Sequence, residues 1–293
     1  MDLNLKKARS EHFKSLEPLA TGRRINHLRD DPSKISEFFR IQNNIQRQEQ
    51  YMLNINSAKT RLNITDAVLV NTTDMMNEVY ELALQGNDEN LTSTQITSIT
   101  NRITDLYDDI LDAANTKLGD NYLFSGFLSS TQPFATNPGA PPPIAFSGDT
   151  NDIDIQVSAT RNVQVSLNGD YLFTGDAAGA SATVDVFAEI QDLITNITAQ
   201  NSANIAGNIT DIQSIITQFT DGRASLGNSM QQLDSAESML NVLELANTER
   251  MSALVETDIA KATSELSLKE FAMETAFAVS RRIMDLSLSS FLT

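Results

Sequence analysis

The sequence contains neither cysteine nor tryptophan. Without cysteine there is no disulfide staple, no thiolate nucleophile and no Cys-ligated metal centre, so stability has to come from packing. Histidine occurs twice, as His12 and His27, and neither has a second nitrogen or carboxylate ligand at metal-binding spacing. No stretch approaches the roughly 18 apolar residues that span a bilayer. The opening Met1-Asp2-Leu3-Asn4-Leu5-Lys6-Lys7 lacks the apolar core and cleavage site of a secretory signal. Phosphate-cradling loops are also missing, since Gly175 to Gly179 is an Ala-rich stretch without the dinucleotide fingerprint. No serine stands in a Gly-x-Ser-x-Gly elbow. No cofactor is therefore expected.

Positive charge is scarce as well. Against 21 basic residues stand 38 acidic ones, a formal charge of -17, and such a field repels phosphate backbones and anionic lipid headgroups. The expectation is no nucleic acid and no membrane among the partners. Ten of the basic residues fall within the first 47 positions, which describes a basic N-terminal arm. Asp149, Asn151, Asp152 and Asp154 gather acid in one place, but without the spacing, central Gly and terminal Glu of a calcium loop, so turn and strand-start roles account for them. Asn63, Asn71, Asn90, Asn196 and Asn208 meet the glycosylation sequon, a chance match in segments this rich in Asn and Thr.

What the chain does have is helical periodicity at both ends. Asp30 and Asp31 can cap a helix that Pro32 opens. Ile41, Ile55, Leu62, Leu69, Met76 and Ala83 then share one heptad register, with Ile45, Met52 and Tyr80 on companion positions. Gln48, Lys59, Asp66 and Thr73 interrupt that seam, so bundle packing is expected rather than a strict two-stranded coil. Gly86 to Asn90 reads as a turn. A second helix carries Ile96, Ile99, Ile103, Leu106, Ile110 and Ala113, with Gly119 as its stop.

The pattern changes after Gly119. Pro133, Pro138 and Pro141 to Pro143 sit among Gly, Ser and Thr, and alternation at Ile153, Ile155, Val157 and at Val163, Val165, Leu167 predicts short strands. Asp120-Asn121-Tyr122-Leu123-Phe124-Ser125-Gly126 is echoed by Gly169-Asp170-Tyr171-Leu172-Phe173-Thr174-Gly175. Helical spacing resumes near Val184 and continues to Phe219, followed by a polar helix from about Ser225 to Glu256 and a terminal helix from about Asp258 to Phe291. The expected fold is mainly α: a long antiparallel bundle of N- and C-terminal helices with a small β-rich domain inserted in the middle. Its boundaries fall at 1–118, 119–183 and 184–293, and the inserted unit is expected to be removable without unfolding the helices.

The terminal helix is apolar too far round for one neighbour. Leu268, Ala272, Ala276, Val279, Ile283 and Leu286 form one stripe, and Met273, Phe277, Met284, Leu288 and Phe291 a second beside it. One stripe can face the chain's own bundle, and the other is a candidate subunit interface. A fully internal core helix is the alternative.

Two motifs near the ends carry a resemblance. Thr21-Gly22-Arg23-Arg24-Ile25-Asn26 followed by Asp30-Asp31-Pro32 looks like the N-terminal motif of flagellins and their relatives. Asp221-Gly222-Arg223-Ala224-Ser225-Leu226-Gly227 and Glu256-Thr257-Asp258-Ile259-Ala260 resemble the C-terminal elements of the same superfamily. Within it, Asn121 to Phe127 with Pro133-Phe134, and the ending Asp285-Leu286-Ser287-Leu288 to Phe291-Leu292, resemble the flagellar hook-associated protein 3 family more than flagellin itself.

That resemblance implies a non-enzymatic structural subunit of the bacterial flagellum at the hook-filament junction. It implies extracellular placement after type III export, with the β-rich unit turned outward. The implied partners are the other hook-filament junction protein, flagellin, copies of itself in a ring, and an export chaperone. Only 20 residues precede Thr21, interrupted by Pro18, where the family carries a longer amphipathic stretch, so a shortened start is expected. Flagellin is the alternative within the superfamily. From other classes, a hydrolase would need two carboxylates converging in a cleft, and a membrane-inserting helical effector would have to overcome the negative charge.

Overall fold

The computed structural model describes residues 2–25, 31–137, 144–175 and 183–291, with the helical backbone alone at 2–5 and 283–291. Six α-helices account for most of it: α1 Asp2–Thr21, α2 Pro32–Gly86, α3 Ser93–Ala114, α4 Val186–Thr198, α5 Ser202–Val255 and α6 Ile259–Phe291. Between α3 and α4 lie three antiparallel strand pairs. They are β1 Lys117–Leu118 with β2 Asn121–Tyr122, β3 Phe134–Thr136 with β4 Ile144–Phe146, and β5 Asp154–Gln156 with β6 Asn162–Gln164. None of the described helices is long and apolar enough to cross a membrane. By packing, the chain forms two compact units, one of residues 1–49 and 241–293 and one of residues 50–240.

Helix α2 begins as its capping residues dictate. Asp31 Oδ1 accepts the Lys34 N–H at 3.2 Å and the Ser33 hydroxyl at 2.7 Å, satisfying donors that a helix start leaves open. These bonds, the Ser33 one foremost, hold the Asp31 carboxyl below its ordinary range. The heptad positions Ile55, Leu62, Leu69, Met76 and Ala83 are all fully buried, and Ile41 is buried in the first unit. The polar interruptions of the seam find partners on α5, which sets the antiparallel register. In the second unit Lys59 meets Asp234 at 2.6 Å and also Glu237, and Asp66 pairs with Arg223 at 2.8 Å. In the first unit Gln48 accepts from Asn247 Nδ2 at 3.3 Å. Thr73 instead bonds the Leu69 carbonyl of its own helix.

Two helix boundaries differ from expectation. Helix α3, opened by a Thr92–Gln95 capping box, stops at Ala114 rather than near Gly119. Asn115 ends it by turning its side chain onto β3, donating to Phe134 O at 2.9 Å and accepting from Phe134 N at 3.1 Å. Gly119, at φ +63°, serves the β1–β2 turn instead. The polar helix predicted to start near Ser225 is no separate element, because α5 runs unbroken for 54 residues through Asp221-Gly222. Gly222 packs closely there, since a Cβ would stand 2.9 Å from a terminal methyl of Leu172. Pro18 likewise lies inside α1 without ending it.

The strand prediction holds for the alternating segments: β5 and β6 pair Ile155 with Val163, and Val157, Val163 and Val165 are buried. The echoed heptapeptides share a structural role although their backbones differ. Leu123-Phe124 follows strand β2, whereas Leu172-Phe173 belongs to a π-helical turn, Asp170–Thr174. Both Leu-Phe pairs are buried and both motifs end on a left-handed glycine, Gly126 at φ +64° and Gly175 at φ +69°.

Phe173 is the hub of the second unit's aromatic core. Its ring centroid lies 5.3 Å from Phe124, 5.2 Å from Phe134, 6.1 Å from Phe187 and 5.5 Å from Phe219. Buried Gln218 fixes the turn that carries Phe173, donating to Tyr171 O at 2.8 Å and Leu172 O at 2.9 Å and accepting from Val184 N at 3.4 Å. The segment 119–183 thus supplies Phe124, Phe134 and Phe173 to a core shared with α4 and α5, and its deletion would uncover Phe187 and Phe219.

Two acidic groups in this unit are held at a cost. Burial raises the Glu189 carboxyl above its ordinary value, an Asn208 hydrogen bond opposes the rise, and Asp211, Asp192 and Asp185 add to it. Burial, with Asp154, raises Asp152 likewise. A raised acid binds its proton more readily in the folded than in the unfolded chain, so stability increases as pH falls through the raised value. Melting followed by circular dichroism should show the contribution of these two acids growing as the pH falls from above their raised values toward the ordinary carboxylate range. Glu189→Gln keeps the acceptor for Asn208 and removes the charge. It should raise the melting temperature by a few degrees near pH 7.5 and flatten the pH dependence, whereas a lower melting temperature for the variant would reject this account.

Candidate assembly surface

The two terminal motifs meet in space. Helix α1 ends where the Thr21 hydroxyl donates to Glu17 O at 2.8 Å and accepts from Arg23 N at 3.2 Å. Gly22 then turns the chain at φ +69°, and Arg23 lies across from Glu256 in an antiparallel bridge. Arg24 N donates to Val255 O at 2.7 Å, and Thr257 N donates to Gly22 O at 3.0 Å. The Arg24 guanidinium also donates to Leu254 O at 3.0 Å, satisfying a carbonyl that the end of α5 leaves open. Asp258 caps α6 by accepting from Lys261 N at 3.1 Å. Thr21, Gly22 and Arg24 are therefore brought onto the α5–α6 joint, whereas Asp31 and Pro32 serve the start of α2. Ile25 is half-buried beside the joint, and Asn26 and Asp30 lie outside the described residues.

A glycine is required at position 22 by its backbone alone, for a Cβ there would meet nothing within 4 Å. Gly22→Ala should cost about 1–2 kcal/mol, the usual penalty for placing a side chain in the left-handed region. The cost should fall on the first unit: hydrogen exchange at Arg24 and Thr257 should accelerate, while amides of the α3 core keep their protection. Unchanged exchange at those two amides would show that the bridge does not depend on this turn.

From the joint, α1 and α6 run antiparallel. Lys269 Nζ meets Glu11 at 2.8 Å, and His12 Nε2 lies 3.6 Å from Glu270. The face of α6 toward α1 carries buried Ala262 and half-buried Leu266, Met273 and Ala276. The face away from α1 is bare: Leu268 is 68% exposed, Phe271 65% and Val279 56%, with exposed Ala272 between them. Phe277 is exposed on the opposite flank. The structure thus re-sorts the two predicted stripes, covering Met273 and Ala276 and leaving Leu268, Ala272, Val279 and Phe277 open. Ile283, Met284, Leu286, Leu288 and Phe291 belong to α6, but their side chains lie outside the described residues. Phe271 was not among the expected interface residues, although its place three residues after Leu268 was the available signal.

A cleft of about 550 Å³ lies in the same unit, where Glu11, Lys14, Arg24, Glu256, Asp258 and Lys261 balance charge of both signs. Among the described residues, no group of three acidic or histidine side chains is arranged to hold a metal ion. What this unit offers is an apolar helix face beside a backbone-locked joint.

Comparison with known proteins agrees with that description. Residues 1–128 match the bacterial flagellin N-terminal helical region and residues 209–292 the bacterial flagellin C-terminal helical region. The chain is thus of the flagellin class, in which both ends of one polypeptide are helical. Flagellar hook-associated protein 3 of Escherichia coli K12 is 24% identical over 96% of this chain and 93% of its own length. The corresponding protein of Salmonella typhimurium is 20% identical over the same shares. The filament 30.7 kDa core protein of Treponema maltophilum is 22% identical over 90% of this chain and 86% of its own.

Solved structures share the fold. FlgL of Xanthomonas campestris superposes with a TM-score of 0.63 at 19% identity, covering 72% of this chain and 99% of that one. Hook-associated protein 3 of Legionella pneumophila gives 0.66 at 17% identity, covering 73% and 98%. Over nearly the whole of both chains this protein is similar to flagellar hook-associated protein 3, and these solved structures share its fold.

Proposed function

We propose that this chain is a non-catalytic structural subunit of the extracellular bacterial flagellum, seated at the hook-filament junction, where it joins another hook-associated protein to the first flagellin subunits. The observation that carries the proposal is the joint of the two terminal motifs beside the bare Leu268, Phe271, Ala272 and Val279 face of α6. Large exposed apolar patches on a water-soluble unit call for cover, and copies of the chain packed side by side in a ring would supply it. The predicted interface positions Ile283, Met284, Leu286, Leu288 and Phe291 extend the same helix and belong to the same proposed seam, with Met273, Ala276 and Phe277 along its edges.

Export through the flagellar type III route, with a dedicated chaperone, fits a chain that has no cysteine to crosslink. The segment 119–183 is proposed to face outward as an inserted unit in chain order. Flagellin remains the second reading, favoured by the 22% identity to a filament core protein.

Deleting the gene in its motile host separates the two. A junction subunit predicts stable hooks without filaments and flagellin lost to the medium, both reversed by the wild-type copy. Hooks that lack filaments and release no flagellin would select the flagellin reading instead.

A further inference from the structure

The cleft of about 550 Å³ in the first unit shares no residue with the open face of α6. Helix spacing gives it its shape. Glu11, Lys14, Ser15 and Pro18 follow one face of α1, and Lys261, Ala262, Glu265 and Lys269 one face of α6, so the two antiparallel helices form its long walls. It runs from the Glu11–Lys269 ion pair at 2.8 Å to the α5–α6 joint, where Arg24, Glu256, Thr257 and Asp258 line it. Asp258 to Lys269 is a helix length of about 16 Å, so the volume is spread along a narrow trough.

Four basic and four acidic side chains line the trough, which leaves it without net charge. A polyanion or a polycation would meet as much repulsion as attraction there, so nucleic acid, anionic lipid and polybasic segments are poor occupants. Two of the eight are spent on each other in the Glu11–Lys269 pair, and Arg24 is turned to the Leu254 carbonyl at 3.0 Å. Lys14 and Lys261 stand exposed as cations and Glu256 and Glu265 as anions, drawn from α1, α6 and the joint. The Thr257 hydroxyl on the same wall is shielded from water and bonds no described group. A buried hydroxyl of this kind carries a free-energy cost until a donor or acceptor reaches it.

We infer that this trough is a docking site for an extended segment of another polypeptide, about five residues long and carrying both a basic and an acidic side chain. A length of about 16 Å accepts about five residues at the rise of a strand. Backbone N–H and C=O groups alternate along such a segment, and one of them would satisfy the Thr257 hydroxyl. The segment's basic side chain answers Glu256 or Glu265 and its acidic one Lys14 or Lys261, so the trough reads the signs of the charges that enter it. The site stands apart from the proposed seam and does not depend on it.

The test titrates end-blocked five-residue peptides into the purified full chain while its amides are followed by NMR. One peptide carries lysine at one end and glutamate at the other, in both orders; the controls carry two lysines or two glutamates around the same neutral middle. The mixed peptide, in at least one order, should shift the Lys14, Thr257 and Lys261 amides. It should bind at least about tenfold more tightly than either control, as expected when an attractive charge pair is replaced by a repulsive one. Lys14→Glu with Lys261→Glu should turn the preference to the two-lysine peptide, and since both positions are exposed, its melting temperature should stay close to wild type. Should that variant melt lower, Lys14→Gln with Lys261→Gln takes its place and should bind the two-lysine peptide at least as well as the mixed one. No binding by any peptide, equal binding by all, shifts confined to other amides, or variants that keep the wild-type preference would overturn the inference.

Discussion

Phe173→Ala should destabilise the second unit by about 3–5 kcal/mol, the range for removing a large aromatic from a closed core. Phe173 is fully buried and touches Phe124, Phe134, Phe187 and Phe219, so no single neighbour can collapse into the space. Because Gln218 holds the backbone of the same turn at Tyr171 and Leu172, relaxation of the main chain is also resisted. For a unit of this size the melting temperature should fall by roughly 10 °C. Urea melts of Phe173→Ala and Phe127→Ala give the contrast, since Phe127 is 61% exposed and its loss should change stability by less than about 0.5 kcal/mol. A loss below about 1 kcal/mol at Phe173 would show that the aromatic core is not closed.

Replacing Leu268 and Phe271 by Asp should have the opposite profile, with little effect on the isolated chain and a large one on assembly. Both side chains stand in water on the open face of α6, and exposed substitutions usually move stability by less than about 0.5 kcal/mol. Once a neighbouring copy covers that face, each unpaired carboxylate costs several kcal/mol. In cells the double variant should be exported and recovered from the medium, with hooks lacking filaments and swimming lost. Normal filaments would reject the seam. A melting temperature many degrees lower would place these side chains in a core of their own chain.

Much of the fold was legible because its signals are local. The α2 register from Ile55 to Ala83 follows from periodicity, and the helix start at Pro32 follows from the donors that Asp31 can satisfy. Gly119 does not stop α3 and no helix begins near Ser225, for one reason: turn-forming residues punctuate a helix only where no distant segment overrides them. Asn115 ends α3 earlier by bonding across to β3, and at Gly222 α5 continues with Leu172 packed close against it. Both depend on segments distant in sequence.

The sequence by itself determined the periodicity of the helices, the strand alternation at 153–167, the missing crosslinks and the two terminal motifs. Each is a property of residues within a few positions of one another, where backbone geometry and side-chain chemistry suffice. Only the tertiary structure decided that Gly22 and Thr257 would share a hydrogen bond, and that Met273 and Ala276 would be covered while Leu268 and Phe271 stayed bare. It alone also placed the whole net charge of -17 in the unit of residues 50–240, the other unit holding 15 acidic and 15 basic residues. Burial and charge segregation depend on which distant segments pack together, and a one-dimensional pattern does not carry that information.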